Sequence, residues 1–208
     1  MQAAQEYLSR WPGTAIDILQ LDRTVNLVEE RIDLALRITN DLDPNLVARR
    51  LGCCRSVVCA SPAYLKAHGT PQRVQDLALH NCLTYSYFGK SLWQFEGANG
   101  PESVPVSGNL SANTSNLLLK STLLGSGVSM QPLYSVAGHL ERGELLPLLT
   151  KLEPRRLGVY GIYTTRKQMS PLLRSFIDFL VERMAQDPLW QEPSQRSASW
   201  APSSPSAQ

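Results

Sequence analysis

No stretch of this 208-residue chain approaches the ~20 consecutive apolar residues that a membrane-spanning helix requires. The first ten residues, MQAAQEYLSR, carry no apolar run of the secretory kind, so the expectation is a cytoplasmic protein without a membrane partner. An excess of one charge is missing too. Lys and Arg number 20 against 18 Asp and Glu, a balance that supplies no broad basic face for gripping nucleic acid by its phosphates. Arg49, Arg50 and Arg55 form a small basic cluster that reads as a solvated face. Cysteine is scarce: Cys53, Cys54, Cys59 and Cys82 have no CxxC spacing and fit free thiols in a reducing compartment. Adjacent Cys53 and Cys54 on a strand would point to opposite faces, which disfavours a bridge between them.

Catalytic signatures are also absent. The chain has no GxSxG elbow, no GxxxxGK[ST] phosphate loop, no HExxH and no GxGxxG. His68, His80 and His139 are too scattered to suggest a metal cage, and Asp33 and Glu96 have no sequence partner for acid–base work. The reading is therefore of a non-enzyme with no catalytic residue, no metal and no cofactor.

What is present is an ordinary globular composition, 43% hydrophobic and 18% charged, arranged as alternating strand and helix signals. A helical piece over residues 3–10 stops at Trp11-Pro12-Gly13, and residues 15–21 read as a strand. Asp22 can cap a helix running to about Glu30. Apolar residues then alternate from Ile32 to Ile38, the clearest strand signal in the chain. Further strands are expected over 46–51 and 55–60. Ser61-Pro62 opens a helix that Gly69 closes. Short strands follow at 82–85, 91–95, 104–106 and 109–112, then a helix capped by Asn113 or Thr114. A strand at 128–130, a helix at 134–142, a strand at 157–163 and a helix from Ser170-Pro171 complete the folded part. Beyond Pro188 the composition turns to Ser, Pro, Ala and Gln, as in a disordered tail. The α and β signals alternate as in sheets covered by helices, with the short middle strands hinting at a second lobe inserted into the first.

An ordered succession of phrases is more specific than any one motif. It runs LVEERIDLALRI (27–38), LVARRLG (46–52), VVCASPAYLKAHGTP (57–71), DLALHNCLTY (76–85), LWQFEG (92–97) and VSGNLSAN (106–113). LLGSGVSMQP (123–132), ERGELLPLL (141–149) and SPLLRSFIDFLVERM (170–184) complete it. This series resembles the effector-binding domain of LysR-type transcriptional regulators over residues 1–187. The resemblance implies an α/β fold of two Rossmann-like lobes joined by two crossing strands, like the type 2 periplasmic binding proteins. Lobe I would combine residues 1–59 with 160–187, and lobe II would span 60–159, with crossings near 59–61 and 157–160. Residues 188–208 would be the disordered tail.

The family implies a small, often anionic effector in an interlobe cleft, self-association as a dimer or tetramer, and promoter DNA reached through a winged helix-turn-helix outside this chain. Relative to the family pattern, the first strand of lobe I also precedes the chain's start, and its loss would leave unpaired backbone and a core gap. Effector contacts are expected from Gln20 and Asp22, which end the strand expected over 15–21, and from Arg37 and Thr39, which end the next. Ser61 sits at the expected hinge. Asn113, Thr114 and Ser115 open a helix whose N–H groups favour a carboxylate, and Met130 and Gln131 follow the glycine loop. The run Tyr85, Tyr87 and Phe88 is a further pocket candidate. Three other readings stay open at this point: a solute-binding protein of a transporter, an enzyme on the same scaffold, and a thiol-redox regulator working through Cys59 or Cys82.

Overall fold

The computed structural model describes residues 2–21, 25–86, 91–97, 100–164 and 169–192. The chain divides into two units: residues 1–54 with 157–192, and residues 55–156.

The first unit is built on three antiparallel strands, β1 (Ala35–Thr39), β2 (Val47–Cys54) and β11 (Leu157–Tyr163), in the order β1-β11-β2. The register sets Thr39 opposite Gly158 and Leu157 opposite Cys54. The end of β1, the end of β2 and the start of β11 therefore share one edge of the sheet. Helix α5 (Pro171–Gln186) begins where the Ser170 hydroxyl accepts from the Leu173 N–H at 3.1 Å, and Pro171 presets the first turn. Its stripe of Ile177, Phe179 and Leu180 packs with Leu51, Cys54, Val159 and Tyr163 of the sheet. Helix α1 (Gln2–Arg10) adds Tyr7, stacked on Trp11 at 4.2 Å and edge-on to Phe176 at 4.8 Å.

Three expectations fail here. Residues 15–21 form no strand: β1 pairs with β11 on one side, and no described strand pairs with its other side. Alternation alone does not make a strand, because a strand persists only where its N–H and C=O groups find a ladder. Ile18, Leu19 and Leu21 are exposed as a result, as are Leu36 and Ile38 of the free edge. The helix expected from Asp22 to Glu30 is a turn over residues 27–31, closed by Ile32 N–H donating to Leu27 O at 2.8 Å, and Asp22 itself lies outside the described residues. The chain also stays folded past Pro188. Asp187 caps a short 3-10 turn, Pro188–Trp190, whose Trp190 packs on the first unit's core, and Arg50 pairs with Glu192. Residues 193–208 lie outside the described residues.

The second unit contains β3 (Ser56–Ala60), α2 (Pro62–His68), a 3-10 segment (Val74–Leu79), β4 (Cys82–Tyr85), β5 (Leu92–Gly97) and β6 (Gly100–Pro105). It continues through β7 (Ser111–Ala112), α3 (Ser115–Leu123), β8 (Val128–Pro132), α4 (Leu133–Glu141), β9 (Leu146–Leu148) and β10 (Glu153–Pro154). A five-stranded sheet runs β7-β4-β8-β3-β9, and a second of three strands runs β10-β5-β6. Strands β7, β4 and β8 are parallel, with α3 returning the chain from the end of β7 to the start of β8. Between them lie Val58, Ala60, Leu77, Phe95, Val104 and Val128, all buried. The glycine loop before β8 is dictated sterically. Gly125 has φ +83°, and a Cβ on Gly127 would stand 2.2 Å from the Asn81 carbonyl oxygen.

Candidate functional site

Strand direction sorts the expected site residues. In the second unit β3 runs antiparallel to β8, with Val57 opposite Gln131 and Cys59 opposite Ser129. The start of β3, the ends of β4, β7 and β8, and the first turn of α3 thus share one edge, where the chain arrives at Arg55. Asn113, Thr114, Ser115, Met130 and Gln131 are brought to this edge. Ser61 is not. It follows the far end of β3, and its Oγ lies 3.5 Å from where a Gly125 Cβ would be, beside the C-terminal end of α3. Its hydroxyl caps α2, accepting from the Tyr64 N–H at 3.3 Å, and the residue is buried. That capping role accounts for it.

In the first unit, Thr39 and Asn40 occupy the edge from which β2 leaves and β11 returns. The Thr39 Oγ1 accepts from the Asp41 N–H at 2.9 Å, and Asn40 Oδ1 accepts from the Gly158 N–H at 3.0 Å. Arg37 sits within β1 opposite Tyr160 and is half-buried. Gln20 is exposed and belongs to no strand. Of the aromatic run, Tyr85 packs with Leu83, Ala112 and Leu118, while Tyr87 and Phe88 lie outside the described residues.

Thr114 holds the N-cap position of α3 with φ −128° and ψ 140°, yet its side chain makes no capping bond. The first-turn N–H groups and the helix dipole together favour an anion there. Beneath α3 runs a buried polar ladder that the sequence did not announce. The Thr122 hydroxyl donates to Leu118 O at 2.7 Å and lies 2.7 Å from Ser129 Oγ, which also accepts from Gln131 Nε2 at 3.2 Å. Thr122, Ser129 and Gln131 are all fully buried, and among the described residues Gln131 Oε1 has no hydrogen-bond partner. An unmet buried acceptor costs about 1–3 kcal/mol, which makes Gln131 an expensive residue to keep on packing grounds alone.

Three charged residues were also missed as a group. Arg55 Nε donates to Glu153 Oε1 at 2.8 Å, and Arg156 Nη2 donates to the other carboxylate oxygen. Arg55 therefore belongs to a largely buried ion pair rather than the solvated cluster expected with Arg49 and Arg50, both of which are exposed. Burial alone would raise the Glu153 pKa, but the hydrogen bonds from Arg156 and Arg55 outweigh it and hold the carboxyl below its usual range. No sequence signal links an arginine at 55 to a carboxylate nearly a hundred residues later.

Among the described residues no group of three His, Cys, Asp or Glu side chains could hold a metal ion. His68 bonds Tyr64 O, His80 faces the Tyr64 hydroxyl at 3.2 Å, and His139 pairs with Glu144. All four cysteines are free and buried. Burial pushes the Cys59 and Cys82 thiols up to about 12, and burial with the neighbouring Cys53 does the same to Cys54. Among the described residues no helix is long and apolar enough to cross a membrane.

Two α/β units with the chain passing twice between them define the class of a two-unit α/β domain. The chain matches the family described as LysR substrate binding domain over residues 1–185, and it belongs to that family. It is 32% identical over 169 residues to the HTH-type transcriptional regulator DmlR of Escherichia coli (strain K12), covering 79% of this chain and 54% of the relative. It is also 32% identical to the HTH-type transcriptional regulator CrgA of Neisseria meningitidis serogroup C (strain 8013), covering 87% of this chain and 61% of that protein. The chain thus spans little more than half the length of these relatives. The CrgA regulatory domain superposes with a TM-score of 0.77 at 31% identity, over 88% of this chain and 90% of that one. Full-length AphB of Vibrio cholerae shares the fold at a TM-score of 0.75 and 22% identity, over 88% of this chain and 62% of that one. The fold is accordingly the α/β, type 2 periplasmic-binding-protein-like fold of LysR-type regulatory domains.

Proposed function

We propose that this chain is the effector-sensing part of a cytoplasmic LysR-type regulator, binding a small carboxylate and carrying out no catalysis. The observation that carries the reading is the clustering of Asn113, Thr114, Ser115 and Gln131 at the edge of the second unit where the chain arrives at Arg55. Thr39 and Asn40 stand at the equivalent edge of the first unit. The first turn of α3 supplies N–H donors for a carboxylate, and the Gln131 amide oxygen supplies an acceptor for a hydroxyl or ammonium on the same ligand. Met130 lies at the same edge in a supporting role, with Arg37 within β1 and Gln20 ahead of the first unit's turn as further candidates. Self-association and promoter binding belong to the longer regulator, with DNA read by a separate helix-turn-helix. The relatives, named as transcriptional regulators, favour this over a transporter's solute-binding protein.

The test is a thermal-shift panel of small mono- and dicarboxylic acids on the full chain. A ligand at a hundredfold above its Kd stabilises the native state by about 2.7 kcal/mol, several degrees in Tm for a domain of this size. Ser115→Asp places a negative charge at the α3 start, where it suits the helix dipole but repels a bound carboxylate. The unliganded Tm should hold or rise while the ligand-induced shift disappears. A shift that survives Ser115→Asp would move the site elsewhere.

A further inference from the structure

The two passages of the chain between units are short. Cys54 and Leu157 are register partners in the first unit's sheet, so that side of each passage is fixed by strand pairing. The next residue in each passage, Arg55 or Arg156, belongs to the second unit. Both of these arginines reach one carboxylate, Glu153, through different oxygens. The side chains of Arg55 and Glu153 are only 15% and 10% exposed. Phe95, Leu133, Leu148, Leu152 and Pro154 line the same recess and keep its dielectric low, which strengthens the pairing. The backbone is held as well: the Leu133 N–H donates to Arg55 O at 2.9 Å, and the Arg155 N–H donates to Gln94 O at 2.9 Å. Glu153 itself lies on β10, paired with Glu96 of β5.

We propose that Glu153 is a positioning residue that staples both crossing points to the second unit. Rotation between units is then confined to the peptide links Cys54–Arg55 and Arg156–Leu157. The consequence is regulatory. A hinge transmits a ligand's preference for one arrangement only as far as its ends are stiff, because slack lets a bound unit move without moving the other. Glu153 removes that slack by holding the start of β3 and the end of β10 as one block. Neither guanidinium is required to touch ligand. This inference rests on the two-lobed sensor reading but concerns the hinge alone, so its test uses no effector.

Spin labels are placed on the full chain at Glu182→Cys in the first unit and Lys120→Cys in the second. Both positions are exposed, and the four native thiols are buried and do not compete. Glu153→Gln keeps the shape but not the charge. It should broaden the inter-label distance distribution about twofold and speed amide exchange at Ser56 and Val57, while exchange within β4 and β8 stays unchanged. Because Glu153→Gln removes the carboxylate that both arginines share and can fail to fold by that cause alone, the triple variant Arg55→Met, Glu153→Met, Arg156→Met is measured beside it. An apolar replacement of a buried ion group commonly preserves the fold, and the same broadening is expected. A distribution as narrow as the parent's in the triple variant overturns the proposal. So does broadening accompanied by lost protection throughout β4 and β8, which would make Glu153 a residue of the core rather than of the hinge. A ligand screen that finds no carboxylate would count against the sensor reading and leave both hinge results standing.

Discussion

Cys59 shows how little a residue's identity says before its surroundings are known. It lies on β3 with no exposed surface, hydrogen-bonded to Ser129, and burial holds its thiol at about 12 despite that bond. Cys82 is equally enclosed, donating to Leu77 O at 3.3 Å. At pH 8 on the order of one in ten thousand of such thiols is ionised, and the thiolate is the reactive form. A disulfide-exchange reagent should therefore titrate no cysteine of the folded chain at pH 8 and all four after denaturation. Rapid native labelling of Cys59 or Cys82 would revive a redox role. Counting cysteines and noting their spacing led to unbridged thiols correctly. The Arg55 environment was not legible in the same way, since its partner Glu153 is distant in sequence and only the fold brings them together. Ser61 illustrates the opposite case: Ser-Pro before a helical run specified its capping role fully, and the added expectation of a hinge contact came from the family likeness rather than from the residue.

Among the elements, those with strong local grammar matched the sequence reading closely. Helix α2 has Ser61, Pro62 and Gly69 at its ends, and α5 has Ser170 and Pro171. Failures came where an element depends on a partner. Residues 15–21 alternate well enough for a strand but have no ladder, and the two-residue strands β7 and β10 exist only through pairing with β4 and β5. The loop between α3 and β8 offers a sharp test of packing at this scale. Gly127→Ala drives a methyl group into the Asn81 carbonyl, and backbone cannot yield as a side-chain tip can. We expect a loss of about 1–3 kcal/mol. Gly138, within α4, meets only the flexible end of Arg142 at 3.1 Å. Gly138→Ala should be neutral or stabilise by up to about 1 kcal/mol through helix propensity. Equal Tm values for the two variants in thermal melts would contradict this account of the loop.

Across the whole molecule, the functional geometry follows from strand direction. Parallel β7, β4 and β8 put their ends, and the start of α3, on one edge of the second unit, and antiparallel β3 brings Arg55 to that same edge. The first unit repeats the logic with Thr39, Cys54 and Leu157. Sequence pattern carried the α/β class and the ordered phrases carried the family, but which candidates share an edge could be learned only from register. That is why Asn113, Thr114, Ser115 and Gln131 stand together and Ser61 stands apart. The most direct test is amide chemical-shift mapping of the full chain titrated with a carboxylate that raises its Tm. Shifts should concentrate at Asn113, Thr114, Ser115 and Gln131, with Ser61 to Tyr64 unmoved. Shifts centred on Ser61 and the start of α2, with the α3 start silent, would contradict the account.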